Sequence, residues 1–328
     1  MKFLALVLGI KHANADRPCP WCLSSRKEFP VNIHDHKSFR VLEGERPEEL
    51  GYKKDPIFKF VKMENIIVDI LHLFLRVADK LLDVLYQYIE QLDWIAQQEK
   101  MEENKKKKER GEVIEEEEQE EDEDDEQKGE KAMEEKKNKK KKNKKKNGEN
   151  LLSYVKFLES IKIKKPCDLD INPIKFRNFS GDEQIKIFQN INFTRLFPKM
   201  EKANVMQSTW DEFYDIIYDS KDNNITIMDI KTRTFNFYKN FRQLCFDKTI
   251  PYIHIFISHL FQQVEYLKTK NLVINDFSMQ GIEKLNDSVT KYFQRSTNKK
   301  KNYLCQILQK RSRVEILKHH NNLNLLLN

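Results

Sequence analysis

A long block of charged and amide residues interrupts this chain and limits where a hydrophobic core can form. It extends from Gln97 to Asn150 and includes the runs EEEEQEEDEDDEQ and EKKNKKKKNKKKNGEN. Such a block has too few apolar side chains to offset the conformational entropy lost on folding, so it is predicted to be disordered. The chain therefore divides into an N-terminal part at 1–96, a Glu/Lys-rich linker at 97–150 and a C-terminal domain at 151–328.

The patterns on both sides of the linker predict a mainly α protein. From Met63 onward, apolar residues recur at spacings of three and four, which is typical of a long amphipathic helix. In the helical C-terminal domain, Ser180 is a predicted N-cap and Pro251 a predicted first-turn residue. Ser208 or Thr209 is predicted to cap the helix STWDEFYDIIYD. The chain has only 8 glycines and 9 prolines, which argues against a β fold with many tight turns.

The first fifteen residues allow two interpretations. Lys2, the apolar run Phe3–Ile10 and the small residues of Ala13-x-Ala15 together have the pattern of a secretory signal peptide. Against this, Lys11 lies between the apolar run and the supposed cleavage site, so a buried first helix explains the pattern equally well. No segment reaches the roughly 18 apolar residues that a membrane-spanning helix needs, and no membrane partner is predicted.

Two of the five cysteines, Cys19 and Cys22, form a C-x-x-C turn that suits a metal ion. The odd number of cysteines and their wide spacing do not fit a disulfide framework, and they indicate a reducing compartment. A structural zinc site needs four ligands, and this turn supplies two of them.

Two pairs of histidines compete to complete this site. His254 and His259, in PYIHIFISHLF, are separated by four residues, and imidazoles at this spacing can converge on one metal at the start of a helix. His34 and His36 follow the cysteines closely enough for a local knuckle. Spacing alone does not decide between the pairs, and a third interpretation is that these cysteines and histidines merely pack in the core.

Polar residues in two helical segments are further candidates. Asp69, His72 and Arg76 are three and four residues apart, so they share one face of the long N-terminal helix. Such a column is more often a buried hydrogen-bond network than a functional site. Glu283 follows Gly281 and precedes a cationic strip, which suits a divalent metal holding a phosphodiester, although most such carboxylates only lie on a solvated helix face. The basic residues of that strip, which we predict to contact nucleic acid, are Lys291, Arg295, Lys299, Lys300 and Lys301.

Several common functional motifs do not occur in the sequence. It contains no Gly-rich phosphate loop, nucleophile elbow or zincin His-Glu motif. Ordinary hydrolase and nucleotide-binding functions, and a small-molecule substrate, are therefore not predicted. The run Lys136–Lys146 fits a nuclear localisation signal as well as it fits a solvated low-complexity tract.

The order of these motifs resembles that in the C-terminal catalytic half of the RAG-type recombinase and Transib transposase group, in particular transposon-derived proteins of invertebrate genomes. The strings that carry the resemblance are KFLALVLGIKHANADRPCPWC, DILHLFLRVADKLLDVL, PYIHIFISHLF and GIEKLNDSVTKYFQRSTN. They cover most of residues 2–95 and 245–317, whereas 150–245 matches only in helical character. Each motif is short, and their order and spacing together carry the specificity.

This resemblance implies an RNase H-like core interrupted by a large helical insertion. It implies that a structural Zn²⁺ is held by Cys19, Cys22, His254 and His259. In the family, two Asp and one Glu bind two divalent ions, Mg²⁺ or Mn²⁺ in a complete enzyme, for hydrolysis and strand transfer of DNA. Glu283 matches that catalytic Glu.

The chain departs from the family at the two aspartates. The first belongs to an early strand with no counterpart here, and the second would fall at or just ahead of Met1. We therefore expect an N-terminally truncated protein with an incomplete core that is inactive alone, and we expect the signal-like segment to be an interior helix.

The properties expected from this interpretation are zinc binding, non-specific DNA binding and a nuclear location, and a homodimer is left open. Two alternatives follow from the other interpretations. One is a helical scaffold or nucleic-acid-binding protein without metal. The other is a secreted protein in which Met1–Ala15 acts as a signal peptide.

Overall fold

The structure is a computed structural model. The described residues are 2–11, 14–26, 40, 44–57, 60–110, 148–164, 166–167, 176–221, 225–245, 250–278, 289–291, 293–295, 299, 305–310, 312–313 and 316. Some residues with predicted roles lie outside this set, namely His34, His36, Glu283, Lys300 and Lys301. The linker residues 111–147, with the lysine run inside them, also lie outside it.

Helices make up most of the described chain. They are α1 (Lys2–Leu8), α2 (Ile70–Glu109), α3 (Glu149–Ser160), α4 (Gly181–Asn190), α5 (Phe193–Leu196), α6 (Ala203–Lys221), α7 (Ile227–Leu244), α8 (Pro251–Ser258) and α9 (Leu260–Thr269). Short 3-10 turns occur at Glu48–Leu50, Met63–Asn65 and Ile274–Phe277.

The prediction of a mainly α protein is confirmed. Within the described residues, extended backbone pairs at isolated bridges, between Ile10 and Tyr52 and between Cys167 and Phe176, and no strand forms. The RNase H-like core therefore stays a prediction. None of the helices in this part of the chain is both long enough and apolar enough to cross a bilayer.

Two of the predicted helix starts are present. Ser180 caps α4 through a capping box, in which Glu183 accepts a hydrogen bond from the Ser180 N–H at 2.9 Å. Pro251 is the first residue of α8, where its fixed φ suits a helix and its missing N–H costs nothing.

The predicted cap at Ser208 or Thr209 is wrong. Both residues lie inside α6, which begins at Ala203. The Thr209 hydroxyl donates to the Val205 carbonyl at 2.7 Å. A buried threonine can satisfy its hydroxyl in this way in mid-helix, so a Ser-Thr pair does not by itself mark a helix start.

Helix α2 has a buried half and an exposed half. Its buried residues all lie between Ile70 and Ile89, but the helix continues to Glu109. The first part of the segment expected to be a disordered linker is therefore helical. Glutamate and lysine are good helix formers, and pairs such as Glu103 with Lys107, 2.9 Å apart, add local support. The low apolar content therefore explains why this half of α2 is exposed, but it does not prevent the helix from forming.

The main hydrophobic core takes residues from both sides of the linker, between Cys19 and Ile89 and between Tyr154 and Ile274. Its centre is aromatic. The Phe213 ring stacks on Phe74 of α2 at 5.7 Å and meets the edge of Phe256 of α8 at 5.2 Å. Such ring pairs stabilise a core beyond the area that they bury. They hold α8 against α2, which fixes the position of the helix carrying His254.

The N-terminal segment forms a second, smaller core from Ala5, Leu8, Ile10 and Tyr52. Gly9 directly follows α1 and has a φ of +63°, and a Cβ there would lie 2.1 Å from the Lys54 carbonyl oxygen. Only glycine tolerates both the positive φ and the close approach of this carbonyl. The close approach brings the chain after α1 alongside residues 51–54, and the C-x-x-C turn follows directly.

Asp93 of α2 caps the start of α3 from outside that helix. Its carboxylate accepts hydrogen bonds from the backbone N–H groups of Asn150 at 2.9 Å and Leu151 at 3.0 Å. Gly148 lies so close that a Cβ would be 2.0 Å from the Asp93 Cγ. The chain therefore returns after the linker to a point beside α2, and the aspartate satisfies N–H groups that have no partner within α3.

The substitution Asp93→Ala should lower the free energy of unfolding by about 1 kcal/mol, as the loss of an N-cap usually does. Glu90→Ala is the matched control, because Glu90 is an exposed carboxylate of the same helix. Chemical denaturation of both variants and the wild type measures the difference. Equal losses in the two variants would contradict the capping role.

Candidate metal centre

The C-x-x-C turn is irregular chain buried against the main core. Cys19 and Cys22 are both 0% exposed. Trp21 between them is also buried, and its indole N–H donates to the Ile66 carbonyl at 2.7 Å. That contact anchors the turn to the segment that leads into α2.

His254 lies inside α8, and His259 lies at a break between two helices. α8 ends at Ser258 and α9 begins at Leu260, and His259 between them has a φ of −120°. In an unbroken helix, side chains five residues apart point roughly 140° away from each other. With the helix interrupted at His259, its ring lies 5.1 Å from the His254 ring, centroid to centroid. The sequence suggested looser geometry in the first turn, but the break is at the end of α8.

The two cysteines and the two histidines meet in one cluster. Cys19 Sγ lies 3.3 Å from His259 Nε2, across 240 residues of sequence. Cys22 Sγ lies 3.3 Å from His254 Nε2, across 232 residues. All four ligand atoms are within 4.8 Å of one another, and all four residues are buried. In a tetrahedral zinc site, neighbouring ligand atoms lie roughly 3.3–3.8 Å apart, so the cluster has nearly the required size.

Hydrogen bonds behind each imidazole orient it toward the cysteines. His259 Nδ1 lies 2.9 Å from Gln262 Oε1, an oxygen that can only accept. Nδ1 therefore carries the proton, and Nε2 presents its lone pair to Cys19. His254 Nδ1 lies 3.4 Å from the Ser258 hydroxyl. Histidines that bind metals usually have such a second partner, which fixes the ring and its tautomer.

The electrostatics of the cluster favour a bound cation. Burial raises the pKa of the Cys19 thiol well above its usual value, because a thiolate there would lose its hydration, and the neighbouring Cys22 raises that pKa further. Backbone N–H groups of Cys22 and Trp21 donate to the Cys19 sulfur and lower its pKa, but they do not outweigh burial. A divalent ion bound here would replace the thiol protons and balance the charge of the resulting thiolates.

This set of donors is chemically complete. Two sulfurs and two imidazole nitrogens fill four positions, which leaves no place for a substrate or an activated water. The four residues together can hold a structural metal such as zinc. A catalytic role of that ion does not follow from the arrangement.

Of the predicted column of Asp69, His72 and Arg76, the first two are in contact and Arg76 pairs elsewhere. Asp69 is the N-cap of α2, accepting from the Leu71 N–H at 3.1 Å, and its other oxygen contacts His72 Nδ1. Arg76 instead pairs with Asp79 at 3.3 Å on the surface. These contacts account for a helix start and a surface ion pair.

The cationic strip is described only in part. Lys291, Arg295 and Lys299 are exposed to solvent. Lys300, Lys301 and the predicted catalytic Glu283 lie outside the described residues, as do His34 and His36, the competing histidines.

Sequence patterns missed three residues that support the cluster. Ser258 and Gln262 follow the histidines at spacings of four and three, which is the signal that helix geometry offers for a supporting contact. Arg40, whose side chain reaches the Cys19 carbonyl at 2.6 Å, has no such signal because its partner lies in irregular chain.

Comparison with protein-family models and with the curated proteins finds no match to this chain.

The substitution Gln262→Leu should weaken zinc binding about tenfold, because His259 loses the acceptor that holds its tautomer. Gln262→Glu keeps an acceptor at the same place and should bind at least as tightly as the wild type. Competition with a chromophoric zinc chelator measures both affinities. A Gln262→Leu variant with wild-type affinity would show that this hydrogen bond has no part in metal binding.

Proposed function

We propose that this protein is a zinc-binding helical protein in which one structural Zn²⁺ joins the N-terminal turn to the last helices of the core. The observation that carries the proposal is the cluster of Cys19, Cys22, His254 and His259, whose ligand atoms lie within 4.8 Å of one another. Tetrahedral sulfur-and-nitrogen sets of this kind are typical of zinc.

The proposed role of the ion is to connect distant parts of the chain. The turn at residues 19–22 has no regular secondary structure, and His259 lies at a helix break. Neither feature has a continuous helix or strand to hold it in place, and a bound metal ion would link the two. Because the ligands converge only in the folded chain, the free energy of metal binding adds to the stability of the fold.

We further propose that the protein derives from a transposase or recombinase of the RAG and Transib group. The support for this origin is which histidines lie beside the cysteines. The resemblance to that group singles out His254 and His259 over His34 and His36, and the former pair lies beside the cysteines. In this proposal the ancestral activity was two-metal cleavage and transfer of DNA strands. In this proposal Glu283 is the residue of this chain that matches the family's catalytic triad.

Purified full-length protein should contain about one zinc per chain, measured by mass spectrometry of the metal. Cys22→Ser and His259→Ala should each lose the metal, because three ligands hold zinc less tightly than four. Cys305→Ser is the matched control, since Cys305 is an exposed thiol outside the cluster. Removal of the metal with a chelator should lower the Tm of the wild type and of this control.

Two results would contradict the zinc proposal. One is wild-type protein without bound metal after purification in zinc-containing buffer. The other is a Cys22→Ser variant with the same zinc content as Cys305→Ser. Either result would favour the metal-free helical scaffold.

The charge of the strip supports non-specific DNA binding as the remaining function of such a derivative. Lys291 and Arg295 are exposed and four residues apart, a spacing that puts two side chains on one helical face. Lysine and arginine side chains bind phosphates irrespective of sequence, with the release of counterions.

Replacing Lys291, Arg295 and Lys299 by Ala together should weaken binding to duplexes of unrelated sequence by a similar factor for each duplex. The salt dependence of log K should fall by up to about 3 units, roughly one per lost phosphate contact. Fluorescence anisotropy at several salt concentrations measures both effects. A control with Lys156, Lys186 and Lys239 replaced carries the same change in charge at scattered exposed positions. If the two triple variants behave alike, the strip is not the binding site.

A further inference from the structure

Arg40 is a buried arginine beside the C-x-x-C turn, with 3% of its surface exposed. Its guanidinium donates to the carbonyls of Cys19 at 2.6 Å, Arg17 at 2.7 Å and Leu50 at 2.9 Å. Its backbone N–H donates to the Trp21 carbonyl at 2.9 Å. One residue therefore holds three alternate carbonyls of the turn, those of residues 17, 19 and 21.

The surroundings of Arg40 are shaped to receive a planar guanidinium. Its centre lies 5.1 Å from the centroid of the Tyr52 ring. Gly51 has a φ of +85°, and a Cβ there would lie 3.2 Å from Arg40 Nη2 and 3.1 Å from the Arg17 carbonyl oxygen. A side chain at position 51 would thus press on the guanidinium and on one of its acceptors. A lysine ammonium also has three N–H donors, but they radiate from one nitrogen, whereas the guanidinium reaches these three acceptors from three nitrogens in one plane.

These bonds set the direction of the two sulfur atoms. With the carbonyls of the turn drawn toward Arg40, the Cys19 and Cys22 side chains face His259 and His254. None of the hydrogen bonds made by Arg40 involves a ligand atom. Arg40 can therefore hold the turn without occupying any atom that would bind the metal.

We propose that Arg40 is a positioning residue that holds the C-x-x-C turn in its metal-binding conformation before the metal binds. This inference rests on the proposed function, because it concerns the affinity of that same site. A site that is already arranged loses less conformational entropy when its ligand binds, so a preorganised site binds the metal more tightly than a flexible one.

The test compares Arg40→Lys with Arg46→Lys in the full-length chain. Arg46 is the matched control because its guanidinium also lies over the Tyr52 ring, at 4.4 Å, and donates to the Lys54 carbonyl at 2.9 Å. It contacts no carbonyl of the C-x-x-C turn. Both substitutions keep the positive charge and remove one guanidinium fork.

Arg40→Lys should lower the affinity for Zn²⁺ by about 10- to 100-fold, the usual effect of losing a contact that orients a metal ligand. The affinity of Arg46→Lys for Zn²⁺ should stay within about threefold of that of the wild type. Titration with Co²⁺ should give the same absorption spectrum for all three proteins, because the four ligands are unchanged. A shifted spectrum in Arg40→Lys would overturn the proposal, since it would mean that the ligand set itself had changed.

The possible results separate this inference from the proposed function. Wild-type protein that binds no zinc would overturn both. Wild-type protein with one zinc, together with equal affinities in Arg40→Lys and Arg46→Lys, would overturn the role of Arg40 alone.

A measurement on the wild type decides the matter if Arg40→Lys does not fold. After the metal is removed with a chelator, the Arg40 amide, which donates to Trp21, should still exchange its hydrogen at least about tenfold more slowly than in an unstructured chain. Exchange at the unprotected rate would mean that the turn is held by the metal and not by Arg40, and the proposal would be wrong.

Discussion

The contact between the C-x-x-C turn and the two histidines is the interaction on which the N-terminal part of the structure depends. The turn has no helix or strand of its own, so its position comes from what it touches. Cys19 and Cys22 touch His259 and His254 at 3.3 Å, and Trp21 touches the segment before α2. Met63 and Ile66 also join the small core around Tyr52 to the main core, because they pack against both.

The histidines can make this contact because the core on the other side is rigid. Phe256 lies between them in sequence, and its ring packs edge-on against Phe213 and Phe237 at 5.2 and 5.0 Å. The backbone of α8 is therefore fixed by aromatic packing, while the break at His259 turns the second imidazole toward the first. A core of this density transmits small displacements, so changes in the aromatic centre would reach the metal ligands.

Local patterns in the sequence were enough to predict a mainly α fold, the start of α8 at Pro251 and the capping box at Ser180, because each depends on neighbouring residues. The extent of α2 was predicted less well, since the same glutamates and lysines that forbid a core also form helix. The four-residue cluster needed more than spacing, which left His34 and His36 as competitors, and the choice came from a resemblance in motif order. The role of Arg40 was not predictable, because its acceptors are backbone carbonyls. Every residue has a carbonyl, so the sequence does not indicate which ones Arg40 will contact.

The contact between Asp93 and the start of α3 has a consequence for the topology of the molecule. Since the chain leaves α2 and comes back beside it, a cut anywhere within residues 111–147 would give two fragments that each carry half of the metal centre. The first fragment would hold both cysteines and the second both histidines. Association of the fragments and metal binding would then be one coupled equilibrium. Zinc would stabilise the complex of two chains, as it would stabilise the fold of the intact chain.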